Sequence, residues 1–115
     1  MKVIIAGTRN ITDKKAVEEA IKESGFEITE LVCGMARGVD ELGFDWAEAN
    51  DISIRKFYPN WKKFYKAAGK VRNREMAFYA DALIAVWDEN SKGTKHMIES
   101  MSKLMKPFYV KIWKK

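Results

Sequence analysis

The sequence predicts an α/β protein, a Rossmann-like three-layer sandwich built around a parallel sheet of about five strands. Two observations support this fold class. Short apolar runs alternate with amphipathic segments along the 115 residues, which is the pattern of right-handed βαβ units. Three of the apolar runs lead into polar loops that contain glycine, at the edge where parallel sheets bind ligands. The length and the hydrophobic content of 47% predict one domain over residues 1–115.

The first half of the chain contains three predicted strands and two predicted helices. Residues 3–6 form a short continuous apolar run, which is typical of a strand buried on both faces. Residues 28–33 are the second predicted strand, and residues 52–58, which alternate partly, are the third. Thr12 is predicted to cap the first helix, with Asp13 in its first turn, and Gly25 to end it. The second helix covers residues 39–49 and ends at Asn50. The inward-facing residues are Ala16, Val17, Ala20 and Ile21 in the first helix and Val39, Leu42, Trp46 and Ala47 in the second.

The second half begins with a helix that Asn60 is predicted to cap and that carries an apolar stripe at helical spacing. That stripe consists of Trp61, Phe64, Tyr65 and Ala68. Gly69 is predicted to interrupt the helix, which resumes over residues 71–80. A further helix, stopped by Pro107, lies between two more strands. The strands are residues 82–87 and 108–112, and the inward residues of the helix between them are Met97, Ile98, Met101, Leu104 and Met105.

The doubly wound strand order 3-2-1-4-5 is the topology that we expect for these elements. It places the point where the strand order reverses between the first and the fourth strand. Ligands of such sheets bind outside the carboxyl ends of the strands at that point. The sequence therefore predicts a crevice between the loops that follow these two strands.

Composition limits the partners that the chain can be expected to bind. A net charge of +5 is compatible with phosphate-bearing partners, but the basic tail is short, and most lysines fall at solvent positions of helices. Nucleic acid is therefore a less favoured partner than a small molecule. The single cysteine, Cys33, excludes an intrachain disulfide and suits a reducing cytoplasm. The apolar run at residues 3–6 is too short for a signal peptide or a membrane span, so no membrane partner is expected.

Three predicted loops combine glycine with Thr, Arg, Ser or Lys, and all three leave the same edge of the sheet. They are residues 7–10, 34–38 and 88–94. Glycine allows a close backbone approach, and the free N–H groups at a helix start favour a phosphate. The predicted phosphate-binding residues are Gly7, Thr8, Gly34, Arg37, Gly38, Ser91, Gly93 and Thr94, with Arg9, Arg72 and Asn73 as contacts to phosphate, ribose or base. Asp40 is placed to fix the second loop by hydrogen bonding.

Helical geometry sorts the polar residues of the predicted helix 71–80. Arg72 and Glu75 are neighbours at i, i+3, whereas Arg74 projects away from Arg72. Asn73 lies at the top of the inward stripe and is expected at the crevice, since a buried unpaired amide is costly. His96 falls on the solvent-facing side of the last predicted helix and is expected to be an ordinary surface residue.

No nucleophile–base pair and no metal cluster is evident, and one His with one Cys cannot form a standard zinc site. Arg72 and Glu75 are the candidate catalytic residues, and whether the protein is an enzyme stays open. No cofactor is indicated. Asp40 and Asp88 could both border the crevice, which leaves room for a loosely held Mg²⁺.

Five motifs in order resemble the DUF2493 or YspA-like family of the SLOG superfamily of Rossmann-like domains. They occupy residues 5–9, 33–40, 72–76, 80–88 and 91–94, and together they cover nearly the whole chain. The resemblance implies a domain that binds a nucleotide or a nucleotide-derived ligand, and we expect it to act as a homo-oligomer.

Two related groups provide alternatives. LOG phosphoribohydrolases, which cleave the N-glycosidic bond of nucleoside monophosphates, use an arginine and a glutamate. Arg72 or Arg74 could match the arginine, but the chain has His96 where the glutamate is expected, and Glu75 would have to substitute. The DNA-processing protein DprA binds single-stranded DNA, and a similar role here would use Arg37, Arg72 and Arg74. Trp61 and Tyr65 are candidates for base stacking, although their helical spacing favours the core.

Overall fold

The computed structural model describes residues 1–114. Five strands alternate with helices along the chain, as the sequence predicts. The strands are β1 (Lys2–Gly7), β2 (Glu30–Cys33), β3 (Ser53–Lys56), β4 (Ala82–Trp87) and β5 (Phe108–Ile112). The helices are α1 (Lys14–Ser24), α2 (Val39–Ala49), α3 (Trp61–Phe64), α4 (Ala68–Tyr79) and α5 (Lys92–Lys103), with a 3₁₀ turn at Tyr65–Ala67 between α3 and α4.

The five strands form one sheet in the order β3-β2-β1-β4-β5, and all neighbouring pairs are parallel. This order confirms the Rossmann-like prediction and its strand order. The central pair, β1 and β4, is in register from Val3 opposite Ala82 to Gly7 opposite Val86. The strand order reverses at this pair, so the loops that leave β1 and β4 flank the expected crevice.

Alternation along the buried strands divides the core into two layers. Val3, Ile5 and Ile84 pack on the side of the sheet covered by α1 and α2. Ile4 and Leu83 pack on the other side, under α4 and α5. Because side chains of a strand point alternately to the two faces, a sheet covered on both faces needs apolar residues at every position. This requirement explains why β1 and β4 can be recognised as continuous apolar runs.

Several element ends differ from the sequence prediction. Asp13, not Thr12, caps α1, because its carboxylate accepts a hydrogen bond from the Lys15 amide at 2.9 Å. Strands β2 and β3 are shorter than predicted, since their parallel pairing covers only Glu30 to Cys33 against Ser53 to Lys56.

Of the predicted stripe of the third helix, only Ala68 is buried in the core, and it belongs to α4. Asn60 caps α3 as expected, accepting from the Lys63 amide at 3.1 Å, but the helix stops after four residues. It ends at Tyr65, which has a φ of +49°, whereas Gly69 lies inside α4. Trp61 is 55% exposed and Tyr65 is 75% exposed. A helix of one turn cannot sustain the 3.6-residue period, so these side chains do not share an inward face.

The end of α5 also differs. Met105 was expected inward, but it follows the helix with a φ of +57° and is 92% exposed. The left-handed backbone at this position turns the chain toward Pro107 and β5. None of the helices in residues 1–114 combines the length and the apolar character that a membrane span requires.

Candidate functional site

A cleft of about 390 Å³ lies at the carboxyl edge of the sheet, between the loops that follow β1 and β4. Residues from all three glycine-containing loops line its wall, together with residues of α2 and α5. Nine of the predicted site residues line it, namely Gly7, Thr8, Arg9, Asp40, Arg72, Asn73, Ser91, Gly93 and Thr94. The structure thus brings together residues from four separate segments of the chain at the predicted switch point.

Thr8 connects the three loops. Its hydroxyl lies 3.1 Å from the Asp88 carboxylate, to which it donates, and 3.1 Å from the Asp88 amide, from which it accepts. Its carbonyl accepts hydrogen bonds from Ile11 and from Val39, the first residue of α2. Its own amide donates to Val86 in β4. Thr8 is buried, so these bonds hold the floor of the cleft in one arrangement.

Asp88 organises the loop that leads from β4 to α5. Its carboxylate accepts from the amides of Asn90 at 2.8 Å and Ser91 at 2.9 Å. These two bonds are the main reason that the pKa of Asp88 is below its usual value. Ser91 then caps α5, its hydroxyl accepting from the Thr94 amide at 3.3 Å. The amides at the start of α5 therefore face the cleft region with a helix dipole behind them.

Arg72 and Asn73, at the start of α4, link the second and third loops. Arg72 Nη1 donates to the Gly34 carbonyl at 2.9 Å, and Nη2 donates to the Asn73 side-chain oxygen at 3.3 Å. The Asn73 amide nitrogen donates to the Gly93 carbonyl at 3.3 Å and lies 3.1 Å from His96 Nδ1. Asn73 therefore lies at the cleft, as predicted, and its amide is paired.

The structure contradicts the expectation that His96 is an ordinary surface residue. It is half-buried rather than fully solvated, because α5 turns it toward Asn73 on α4. Burial and then the nearby charge of Arg74 lower the pKa of His96, so the neutral imidazole, which can accept from Asn73, is favoured.

Asp40 is the most deeply buried charged group of the cleft, at 4% exposure. Its carboxylate accepts from the Ala36 amide at 3.2 Å, which fixes the second loop as predicted. Burial raises the pKa of Asp40 to about 6, although the Ala36 amide, Arg72 and the Gly7 amide favour the ionised form. A carboxyl group that titrates near neutral pH can both accept and donate hydrogen bonds in the physiological range.

Three predicted phosphate-binding residues do not line the cleft. Gly34 contributes its carbonyl to Arg72, and Arg37 is exposed outside the cleft. Gly38 has a φ of +76°, and a Cβ there would lie 2.4 Å from the Arg9 carbonyl oxygen. The glycine at position 38 is needed because α2 packs closely on the β1 loop.

Glu75, the second catalytic candidate, is exposed and is not part of the cleft wall. Within residues 1–114, no three His, Cys, Asp or Glu side chains are grouped so that they could hold a metal ion. Asp40 and Asp88 both border the cleft, but three donors already occupy Asp88 Oδ1. The chemistry that these residues can supply is the binding of an anion by amides and arginine, beside a buried carboxyl group.

Some cleft residues were missed from the sequence. Asn10 and Asn90 lie in loops that the glycine pattern had already singled out, and both line the cleft. Their position in loops that follow buried strands could have identified them as cleft residues. Met76 and Met97 also form part of the wall, and helical periodicity could identify them only as core residues.

The sheet order, the flanking helices and the cleft at the switch point define a Rossmann-like α/β fold. The model of the "YspA, cpYpsA-related SLOG family" (YAcAr) matches residues 1–64, which is more than half of the chain. The chain therefore belongs to this family, and the resemblance seen in the sequence is confirmed. None of the curated proteins matches the chain significantly.

Among solved structures, the chain is similar to DNA processing protein A (DprA) from Streptococcus pneumoniae, with a TM-score of 0.77 and 19% sequence identity. The similarity covers 95% of this chain and 49% of that chain. The chain thus spans about half the length of this neighbour. At this identity the comparison shows a common fold.

A first prediction concerns Gly38. We expect Gly38→Ala to lower the free energy of unfolding by about 2 kcal/mol or more, because the positive φ and the Arg9 carbonyl both oppose a side chain. Gly69→Ala is the matched control, since a Cβ there meets nothing within 4 Å, and it should stabilise α4 by roughly 0.5–1 kcal/mol. Urea unfolding measures both. Equal stability of the two variants would contradict the packing role of Gly38.

A second prediction concerns Asp40. A pKa of about 6 against the ordinary 3.8 means that the folded protein binds more protons than the unfolded chain between these values. The Asp40 contribution to stability therefore falls as the pH rises from 4 to 7, by at most about 3 kcal/mol. Urea unfolding at several pH values should show this fall in the wild type relative to Asp40→Asn. Asp45→Asn, on the exposed side of α2, is the control and should retain the wild-type dependence.

Proposed function

We propose that the cleft binds a nucleotide or a nucleotide-derived ligand through its phosphate. The observation that carries this proposal is the convergence of three loops on one cleft that contains the start of α5 and the side chain of Arg72. Family membership, and the likeness to a protein described as a DNA processing protein, support a nucleotide-related role.

The start of α5 is the proposed phosphate position. Ser91 and Thr94 supply hydroxyl groups, and the exposed Gly93 leaves backbone open to a close approach. The helix dipole favours negative charge at this end, and Arg9 and Arg72 add two positive charges to the same cleft. Arg72 Nε is buried and has no hydrogen-bond partner among residues 1–114. A phosphate or sugar oxygen would satisfy this donor.

The remaining polar groups suit the sugar and base of such a ligand. Asp40 can accept from a hydroxyl or amino group, and Asn10 and Asn90 offer both donors and acceptors at the rim. A cleft of about 390 Å³ is within the range of small-ligand sites. Its size and its mixed lining favour a mononucleotide or a derivative of similar size over a long polymer.

The geometry of the cleft does not favour the hydrolase alternative, which requires the carboxylate of Glu75. Glu75 is exposed and does not line the cleft, which argues against its action on a ligand held by Arg72. The trio proposed for single-strand binding is also divided, because Arg72 lies in the cleft while Arg37 and Arg74 are exposed outside it. Binding without cleavage is the function that this geometry supports best.

Ligand binding is tested by thermal unfolding with a panel of nucleoside mono-, di- and cyclic phosphates and dinucleotides. A ligand at 100 times its Kd adds about 2.7 kcal/mol to stability. Gly93→Ala should fold normally, because a Cβ there meets nothing within 4 Å, yet it should weaken binding at least tenfold by displacing the phosphate. Gly69→Ala should bind like the wild type. The absence of a shift with every compound, or unchanged affinity in Gly93→Ala, would contradict the proposed phosphate position.

Catalysis is tested by incubating the protein with nucleoside monophosphates and measuring free base by chromatography. We expect no release above the rate without protein, since Glu75, the candidate for the hydrolase glutamate, does not line the cleft. Base release that persists in Glu75→Gln and disappears in Asp40→Asn would show that the cleft is catalytic and that our assignment is wrong.

A further inference from the structure

Residues 55–74 differ from the rest of the chain in charge. They contain eight Lys and Arg residues and no Asp or Glu, whereas residues 1–54 contain six basic and eleven acidic residues. The net positive charge of the protein is therefore concentrated in this segment. Within residues 1–114, the salt bridges involve only Lys111 and Lys114 among the basic residues, so no carboxylate within 4.0 Å neutralises the segment.

Three aromatic rings of the same segment lie at the surface. Tyr58 is 64% exposed, Trp61 is 55% exposed and Tyr65 is 75% exposed. The short helix α3 packs mainly against the 3₁₀ turn and α4, so most of its surface is free. Lys62, Lys63 and Lys66 are interleaved with these rings and are exposed as well. A group of exposed apolar side chains bordered by polar residues is typical of an interaction site.

The backbone at Tyr65 provides an independent indication. Its φ of +49° and ψ of −125° are unfavourable for a residue with a bulky side chain. A glycine would adopt this conformation without strain. Strained residues of this kind are concentrated at functional sites, where the surrounding structure maintains them. Here the conformation ends α3 and leaves the Tyr65 ring in solvent.

We infer that the surface formed by Tyr58, Trp61, Tyr65 and the adjacent lysines binds single-stranded nucleic acid. Such sites combine a basic track for the phosphates with aromatic rings on which bases stack, and the segment supplies both without an acidic residue. The exposed large apolar side chains within it are all Tyr or Trp, which favours planar bases over lipid chains. None of these aromatic and lysine side chains lines the cleft, so the inference does not depend on the proposed nucleotide site.

The experiment uses fluorescence anisotropy with labelled oligo(dT) and oligo(U) of 6, 12 and 24 nucleotides at 25–200 mM KCl. We expect affinity to increase with length and to fall with salt. Trp61→Ala and Tyr65→Gly should each weaken binding about tenfold through lost stacking, and both should remain folded because these rings are exposed. Lys62→Gln combined with Lys63→Gln should reduce the salt slope by roughly 1.4, or about 0.7 for each lost phosphate contact.

Matched controls are Phe78→Ala, an exposed ring on α4, and Lys14→Gln combined with Lys15→Gln on α1. Both should bind like the wild type, and circular dichroism checks folding of all variants. The inference is overturned if oligonucleotides fail to bind at 25 mM KCl, or if the controls lose as much affinity as the test variants. Two further results would overturn it. In the first, the wild type binds phosphatidylserine vesicles and Trp61→Ala does not. In the second, the wild type self-associates in sedimentation and Trp61→Ala does not. None of these results bears on nucleotide binding in the cleft, which Gly93→Ala tests separately.

Discussion

The cleft depends on the hydrogen bonds of one buried residue, Thr8. Its backbone amide holds β4, its hydroxyl holds Asp88, and its carbonyl accepts from the first residue of α2. A threonine is suited to this position because its hydroxyl can donate and accept at once. Since Asp88 in turn fixes the amides that precede α5, the backbone and the side chain of this one residue together position the starts of two helices.

Close packing around this residue explains the glycines of the sequence motifs. A Cβ at Gly7 would lie 2.0 Å from the Val86 carbonyl oxygen, and one at Gly38 would lie 2.6 Å from the Thr8 carbonyl oxygen. These glycines allow β4 and α2 to approach the β1 loop. Gly93 differs, because its Cβ direction is open. Glycines of the different motifs are therefore required for different physical reasons, and Gly93 is the one whose open Cβ direction suits contact with a ligand.

The sheet order and the strand positions could be predicted because a sheet covered on both faces requires uninterrupted apolar runs. Asn73 could be placed at the cleft because it is a polar residue at the top of an inward helical stripe. The role of Gly38 could not be predicted, since the sequence does not show which neighbouring atom occupies the position that a Cβ would take. The exposure of Trp61 and Tyr65 was also hidden, because the backbone break at Tyr65 has no signal in a periodicity analysis.

Nuclear magnetic resonance of the ¹⁵N-labelled protein, titrated with the four common nucleoside monophosphates, tests the phosphate site most directly. If the cleft binds the phosphate at the start of α5, at least one nucleotide should cause saturable shifts of the Gly93 and Thr94 amides and of the Asn73 side-chain amide. Inorganic phosphate at high concentration should affect the same amides of α5 more weakly. Saturable shifts confined to residues outside the cleft, or no shifts with any of the four nucleotides, would contradict a nucleotide site at this edge of the sheet.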